Sequence, residues 1–324
     1  MHRLQLWRAC VERLAAGERV FLSVVVDHTR HSPGTRGACL MRFEDGQSLG
    51  TIGGGAMEQR ALRHGAEAFE ATSGAGRLEP MVHRREVAPE ETATKSGMIC
   101  AGRQTNASIL LDPVRDLAAA RAVLDHLEGD RAGEWVLGPA GLSVEPGVPK
   151  EEGPCVWVVR DGEDFEVRGQ LRNLFRVAIF GGGHCGLALS QQLALLDAVV
   201  TVVDVRPDLR PFRENTCARY RHVVEDYAEA AGCVTEPERT SAIVMTSDAV
   251  SDTRALLGVL GRPFPFVGVM GARAKLRAIE DALEALGVSE ADRGRIVAPV
   301  GLDIGSGTPA EIAVSVAAQL IRAR

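Results

Sequence analysis

The stretch VAIFGGGHCG, residues 177–186, decides how the second half of the chain folds. Four apolar, strand-like residues run into three consecutive glycines, and a helical segment follows. The spacing fits Gly-x-Gly-x-x-Gly. Gly181 supplies a tight turn, Gly183 lets a pyrophosphate approach the backbone, and Gly186 lets the helix pack on the strand. The helix start that follows offers unpaired N–H groups and the positive end of its dipole to phosphate. A glycine turn kept only for packing would look similar, so the surroundings decide. VVTVVD ends in Asp204, about 20 residues on, where a carboxylate can bond a ribose hydroxyl. His184, inside the loop, either orients a ligand or fills the turn.

Working outward, VAIFGGG, VVTVVD, SAIVMTSD and PFVGVMG are short apolar runs that end in Gly, Asp or Ser, separated by helical segments. This alternation predicts a parallel sheet with helices on both faces and ligands at the C-terminal strand ends. Residues 174–324 are therefore expected to form a Rossmann-type nucleotide- or cofactor-binding domain. After PFVGVMG, Arg273 and Lys275 stand at a helix start, either to clamp a second anionic group or as solvated surface charges. Thr308-Pro309-Ala310-Glu311 has the form of a capping box with proline at the first helical position.

Residues 1–112 read as a mixed α/β domain. An amphipathic helix with Leu6, Cys10, Val11 and Leu14 on one face precedes the buried-strand run VFLSVVV. ACLMRF and QSLGTI form a hairpin, and Gly53-Gly54-Gly55 opens a helix. Further strands are expected around 82–87 and 107–111. GTIGGG with Glu58 is a second glycine-rich strand-to-helix loop, either an anion nest or a plain turn. SGMICAG places Cys100 between glycines in a loop, where a thiolate could act as nucleophile or soft-metal ligand; the alternative is an inert thiol. Residues 113–173 read as a connector with some structure: a helix in LAAARAVLDHLE, a Gly/Pro-rich passage over 138–154, and a hairpin in VWVVRDGEDFEVR.

A chain of 324 residues has room for two domains. Its net charge of −6 argues against a nucleic-acid binder that relies on a basic field. No apolar run approaches the roughly 18 residues that span a bilayer. Arg8, Glu12 and Arg13 interrupt any signal-peptide pattern, and seven scattered cysteines without a CxxC pair suggest reduced thiols. The expected location is the cytoplasm, with no membrane or nucleic-acid partner.

Taken in order, the motifs resemble the XdhC/CoxI family, the xanthine dehydrogenase accessory factors. The resemblance spans nearly the whole chain: His31-Ser32-Pro33 with Arg36-Gly37-Ala38, GTIGGG with Glu58, SGMICAG, IFGGGHCG, VTVVDVRP, VGVMGARAK and PVGLDIGSGTPAEIAVSVAAQLI. It implies a maturation chaperone, more a carrier than a catalyst. Such a chaperone binds molybdenum cofactor (molybdopterin), protects it during sulfuration and delivers it to a xanthine dehydrogenase-like apoenzyme. A cysteine desulfurase supplies the sulfur, and a homodimer would help shield the cofactor. By this resemblance Cys100 contacts the molybdenum, and Gly53, Gly54, Gly55 and Glu58 hold the pterin or its phosphate. The Rossmann loop holds a phosphate or nucleotide part. The chain departs from the family at Ala101, where a glycine is usual, and at Ser247, where a histidine is usual. Two other readings stand beside it: an NAD(P)-dependent oxidoreductase and a non-catalytic nucleotide-sensing module. Asp204 with Arg206 nearby leaves NAD and NADP both open.

Overall fold

The computed structural model describes residues 3–29, 32–71, 77–83, 102–148, 155–161, 164–173 and 175–323. The chain divides into two compact units, Met1–Asn173 and Leu174–Arg324.

In the first unit the order is α1 (Arg3–Ala15), β1 (Val20–His28), β2 (Cys39–Phe43), β3 (Ser48–Gly50), α2 (Gly55–Glu70), β4 (Arg77–His83), β5 (Gly102–Leu111) and α3 (Pro113–Gly129). Two further hairpins follow, β6 (Gly133–Gly138) with β7 (Gly141–Pro146) and β8 (Cys155–Asp161) with β9 (Asp164–Gln170). Strands β3-β2-β1-β5-β4 make an antiparallel sheet, and β7-β6-β9-β8 make a second. Strand β1 is apolar from Val20 to Val26 except for Ser23, because both of its faces are covered there. Val20, Leu22, Val24 and Val26 join Leu6, Trp7, Cys10 and Leu14 of α1 in one core, while Val25 joins Leu40, Ile52 and Ala61 of α2 in another.

Residues 113–173, read from sequence as a connector, share that first core: Trp135, Leu137, Leu142, Phe165 and Val167 pack with the α1 residues. Fully buried Asp116 of α3 fastens them, accepting the Asp112 N–H at 2.7 Å, the Leu142 N–H of β7 at 2.9 Å and an ion pair from Arg115. Strand β7 falls in the Gly/Pro-rich passage over 138–154, and β6 ends where that passage begins. Gly133, Gly138 and Gly141 turn out to be strand ends.

The second unit runs β10 (Arg176–Phe180), α4 (His184–Ala194), β11 (Val199–Asp204), the single turn α5 (Arg210–Arg213), β12 (Tyr220–Val223), β13 (Thr240–Val244), α6 (Ala249–Leu260), β14 (Phe266–Val269), α7 (Arg273–Ala285), the single turn α8 (Glu290–Arg293), β15 (Ile296–Val297) and α9 (Pro309–Arg322). All six strands are parallel, in the order β12-β11-β10-β13-β14-β15. Counted within the domain this is 3-2-1-4-5-6, the Rossmann order, whose ligand crevice lies where strand 1 meets strand 4. The expected Rossmann-type parallel sheet is therefore present. Alternation along β10 sends Val177 and Ile179 to the core under α4 and α9, and Ala178 and Phe180 to the core under α6. Thr308 and Glu311 cap α9 reciprocally, with Pro309 in its first turn.

Candidate functional site

The glycine-rich loop after β10 has the geometry its spacing predicts. Gly181 sits at φ +120°, and a Cβ there would fall 2.4 Å from the Met245 carbonyl oxygen. A Cβ on Gly186 would fall 2.2 Å from the Gly181 oxygen, so α4 packs on the loop only without a side chain. Gly183 differs: a Cβ there would have no atom within 4 Å. This is the open side from which a phosphate group can reach the backbone. Gly183 is also the N-cap of α4 and brings no side-chain cap, which leaves the first-turn N–H groups and the dipole facing that space. His184 is exposed at the first helical position. Cys185 is half-buried against the α4–α9 core, and burial pushes its thiol upward.

Asp204 ends β11 as expected, and its carboxylate is engaged within the protein. Its side chain is fully buried. One oxygen, Oδ2, accepts the Gly182 N–H at 2.7 Å and Arg206 Nη2 at 2.9 Å. The other, Oδ1, accepts the Arg206 backbone N–H and Nε, each at 2.9 Å. Burial alone would raise this carboxyl. The Arg206 side chain, the two backbone N–H groups and the Arg206 charge outweigh that and hold it below its ordinary value. The same hydrogen bond raises Arg206. Asp204 thus anchors the glycine-rich loop, and Arg206 stands over it.

Lys275 is likewise engaged. Its Nζ lies 2.5 Å from Oδ2 of Asp252, a buried carboxylate that also accepts the Thr246 N–H at 2.9 Å and hydroxyl at 2.5 Å. The lysine neutralises a buried acid at the C-terminal end of β13. Arg273, two residues earlier, is exposed. Ser247 donates to Asp248, which caps α6 by accepting the Ser251 N–H. The GLDIGSG loop is held by α9: Gly301 (φ +109°) donates to Gln319 Oε1, and Ser315 of α9 donates to the Leu302 carbonyl.

In the first unit Gly53, Gly54 and Gly55 all have positive φ (115°, 74° and 64°), and the Gly53 N–H donates to Thr51 Oγ1 at 3.1 Å. Oε2 of Glu58 accepts the Thr51 hydroxyl at 2.6 Å and the Ile52 and Gly54 N–H groups at 3.2 Å each. Glu58 thus ties the start of its own helix back to the 51–54 loop.

One residue the sequence reading passed over ties this loop to its neighbour. Gln104 of β5 is fully buried. Its Oε1 accepts Ser32 Oγ at 2.9 Å and the Gly34 N–H at 3.1 Å, and its Nε2 donates to the Ile52 carbonyl at 3.0 Å and Asn106 Oδ1 at 2.9 Å. The 32–37 and 50–55 loops touch so closely that a Cβ on Gly34 would lie 2.3 Å from the Ile52 oxygen. On the same face of the sheet, Asn106 Nδ2 and His28 Nδ1 are buried without a hydrogen-bond partner. Cys100, two residues before β5 in sequence, lies outside the described residues.

Among the described residues no group of three or more His, Cys, Asp or Glu could hold a metal ion. No helix among them is long and apolar enough to cross a membrane.

Residues 177–320 match the family model described as the XdhC Rossmann domain, and residues 13–82 match that of the XdhC and CoxI family. The chain is 31% identical over 152 residues to the uncharacterized protein YqeB of Escherichia coli (strain K12). That match takes in 46% of this chain and 27% of YqeB, so the chain spans only about a quarter of that relative's length. Its fold is similar to a crystal structure from Bacillus halodurans described as a xanthine dehydrogenase. The TM-score is 0.72 at 20% identity, over 100% of this chain and 96% of the other.

Proposed function

Since this chain belongs to the XdhC and CoxI family, we propose that it is a maturation factor for a xanthine dehydrogenase-like molybdenum hydroxylase. It binds molybdenum cofactor as cargo, shields it while the terminal sulfido ligand is installed from a cysteine desulfurase, and passes it to the apoenzyme. The observation that carries this reading is the open phosphate loop at Gly183 in a sheet of Rossmann order, which supports a phosphate-bearing, nucleotide-like ligand. Cys100 is the proposed soft ligand to molybdenum, because a thiolate suits a metal already bound by dithiolene and sulfido sulfur. Glu58 takes a changed role. Its carboxylate preforms the glycine loop, and the loop's N–H groups become available to a cargo phosphate when that carboxylate swings out.

Molybdenum and pterin content after co-expression with cofactor-synthesis genes tests the reading. About one molybdenum and one pterin per chain are expected, falling sharply in Cys100→Ala. Absence of both from the native protein, where a known carrier loads, would overturn it. The sheet order and open loop also favour a second reading, an NAD(P)-dependent oxidoreductase; nicotinamide-dependent turnover of a substrate would establish it.

A further inference from the structure

We infer that the crevice at the end of β11 selects a nucleotide whose ribose carries a phosphate, of the 2′-phosphoadenosine class, over one with a free ribose diol. This rests on reading the glycine-rich loop as a nucleotide site and goes beyond it by assigning Arg206 as the specificity residue.

A carboxylate offers about four acceptor positions. In a site for unsubstituted ribose, the acid at the end of the second strand keeps some of them for the sugar hydroxyls. Here Asp204 is fully buried, and four donors already point at its two oxygens: Gly182 N–H, Arg206 N–H, Nε and Nη2. Nothing remains for a diol. What the crevice presents instead is the Arg206 guanidinium, 42% exposed. It turns Nε and one Nη2 proton toward Asp204, so Nη1 and the outer Nη2 proton are not engaged by that carboxylate. A guanidinium edge held flat by a carboxylate matches the paired oxygens of a phosphate monoester.

The same carboxylate holds Gly182, so Arg206 and the phosphate loop are fixed to each other through one residue. A ligand that lays its pyrophosphate against Gly183 and the α4 N-terminus places its ribose beside Arg206. Lys275 does not compete for this role, because its charge is matched by Asp252.

The test is calorimetric titration of the full chain with 2′,5′-ADP, 5′-ADP, NADP and NAD, at two salt concentrations. 2′,5′-ADP and NADP should bind about tenfold or more tighter than 5′-ADP and NAD, the difference expected of one charge-assisted pair. That preference should shrink at high salt and collapse to within about threefold in Arg206→Gln. A double variant, Arg206→Gln with Asp204→Asn, removes the orphaned buried charge if the single variant folds poorly. Equal or tighter binding of 5′-ADP by the native chain would overturn the inference while leaving the nucleotide reading intact. Binding of none of the four would overturn both.

Discussion

Replacing Gln104 by methionine should loosen the first unit far more than a surface-like Gln-to-Met change would. The two side chains have similar length and volume, so the substitution opens little cavity and isolates the polar effect. It leaves the Gly34 N–H, the Ile52 carbonyl and Asn106 Oδ1 without their partner, and all three residues are buried. A buried polar group stripped of its partner costs about 1–3 kcal/mol, so three set a floor near 3 kcal/mol, against roughly 5–15 kcal/mol for a whole domain. With a urea m-value of about 1–3 kcal/mol per molar, the midpoint should fall by about 1–3 M. The assay is convenient because the chain's three tryptophans, Trp7, Trp135 and Trp157, all belong to the first unit. Their fluorescence reports that unit, while the second unit can be followed by circular dichroism. A midpoint shift below about 0.3 M at unchanged m would mean that Gln104 does not clamp the two loops.

Three further outcomes follow from the site geometry. Gly186→Ala puts a methyl 2.2 Å from the Gly181 oxygen and should destabilise the second unit by about 2 kcal/mol or more; Gly183→Ala, at φ −71° in open space, should change stability by less than about 0.5 kcal/mol yet weaken nucleotide binding in titration. Glu58→Ala should cost about 1 kcal/mol, as a lost N-terminal helix cap does, and should give inorganic phosphate a larger thermal-shift effect than in the native protein; an unchanged phosphate response would refute the view of Glu58 as a resident anion. The pH dependence follows from Asp204, whose folded carboxyl titrates below the 3.8 of an ordinary aspartate. The unfolded chain therefore binds that proton first, so Asp204's stabilisation is complete above about pH 5 and fades as pH falls through 3.8 toward the folded value. Asp204→Asn should lower stability at neutral pH and flatten the acid limb of a urea-midpoint profile, and an unaltered limb would contradict this.

The second unit was the more legible half, for a physical reason. Parallel strands buried on both faces are short apolar runs. Their C-terminal ends carry the glycines and acids, so VAIFGGGHCG and VVTVVD announce both the fold and the place of its crevice. What those side chains bond to was less legible. Asp204 is placed where the motif requires it, but its oxygens are taken by an arginine two residues on that folds back. Lys275 stands at the helix start as read, but its partner Asp252 comes from another helix. Nothing local in either sequence fixes these choices. Gln104 was missed because Gln-Thr-Asn ahead of an apolar run looks like a loop. The available signal was the period-2 spacing of Gln104, Asn106 and Ser108, a polar face on β5 that the 32–37 and 50–55 loops satisfy at Gln104 and Ser23 of β1 satisfies at Ser108. The β6–β7 hairpin was hidden by the glycines that bound its short strands.

The tethered carboxylate of Glu58 also sets a threshold for whatever enters the first unit's glycine loop. A group held within a few residues of its own binding site competes at a high effective concentration, of the order of millimolar or above. If the loop takes the cargo phosphate as proposed, a weak monoanion would first have to displace the protein's own carboxylate from the Thr51 hydroxyl and the Ile52 and Gly54 N–H groups. A ligand that brings a doubly charged phosphate, or that is anchored elsewhere on the same unit, would displace it more readily. On that proposal the loop would discriminate by internal competition, favouring ligands with more than one point of attachment.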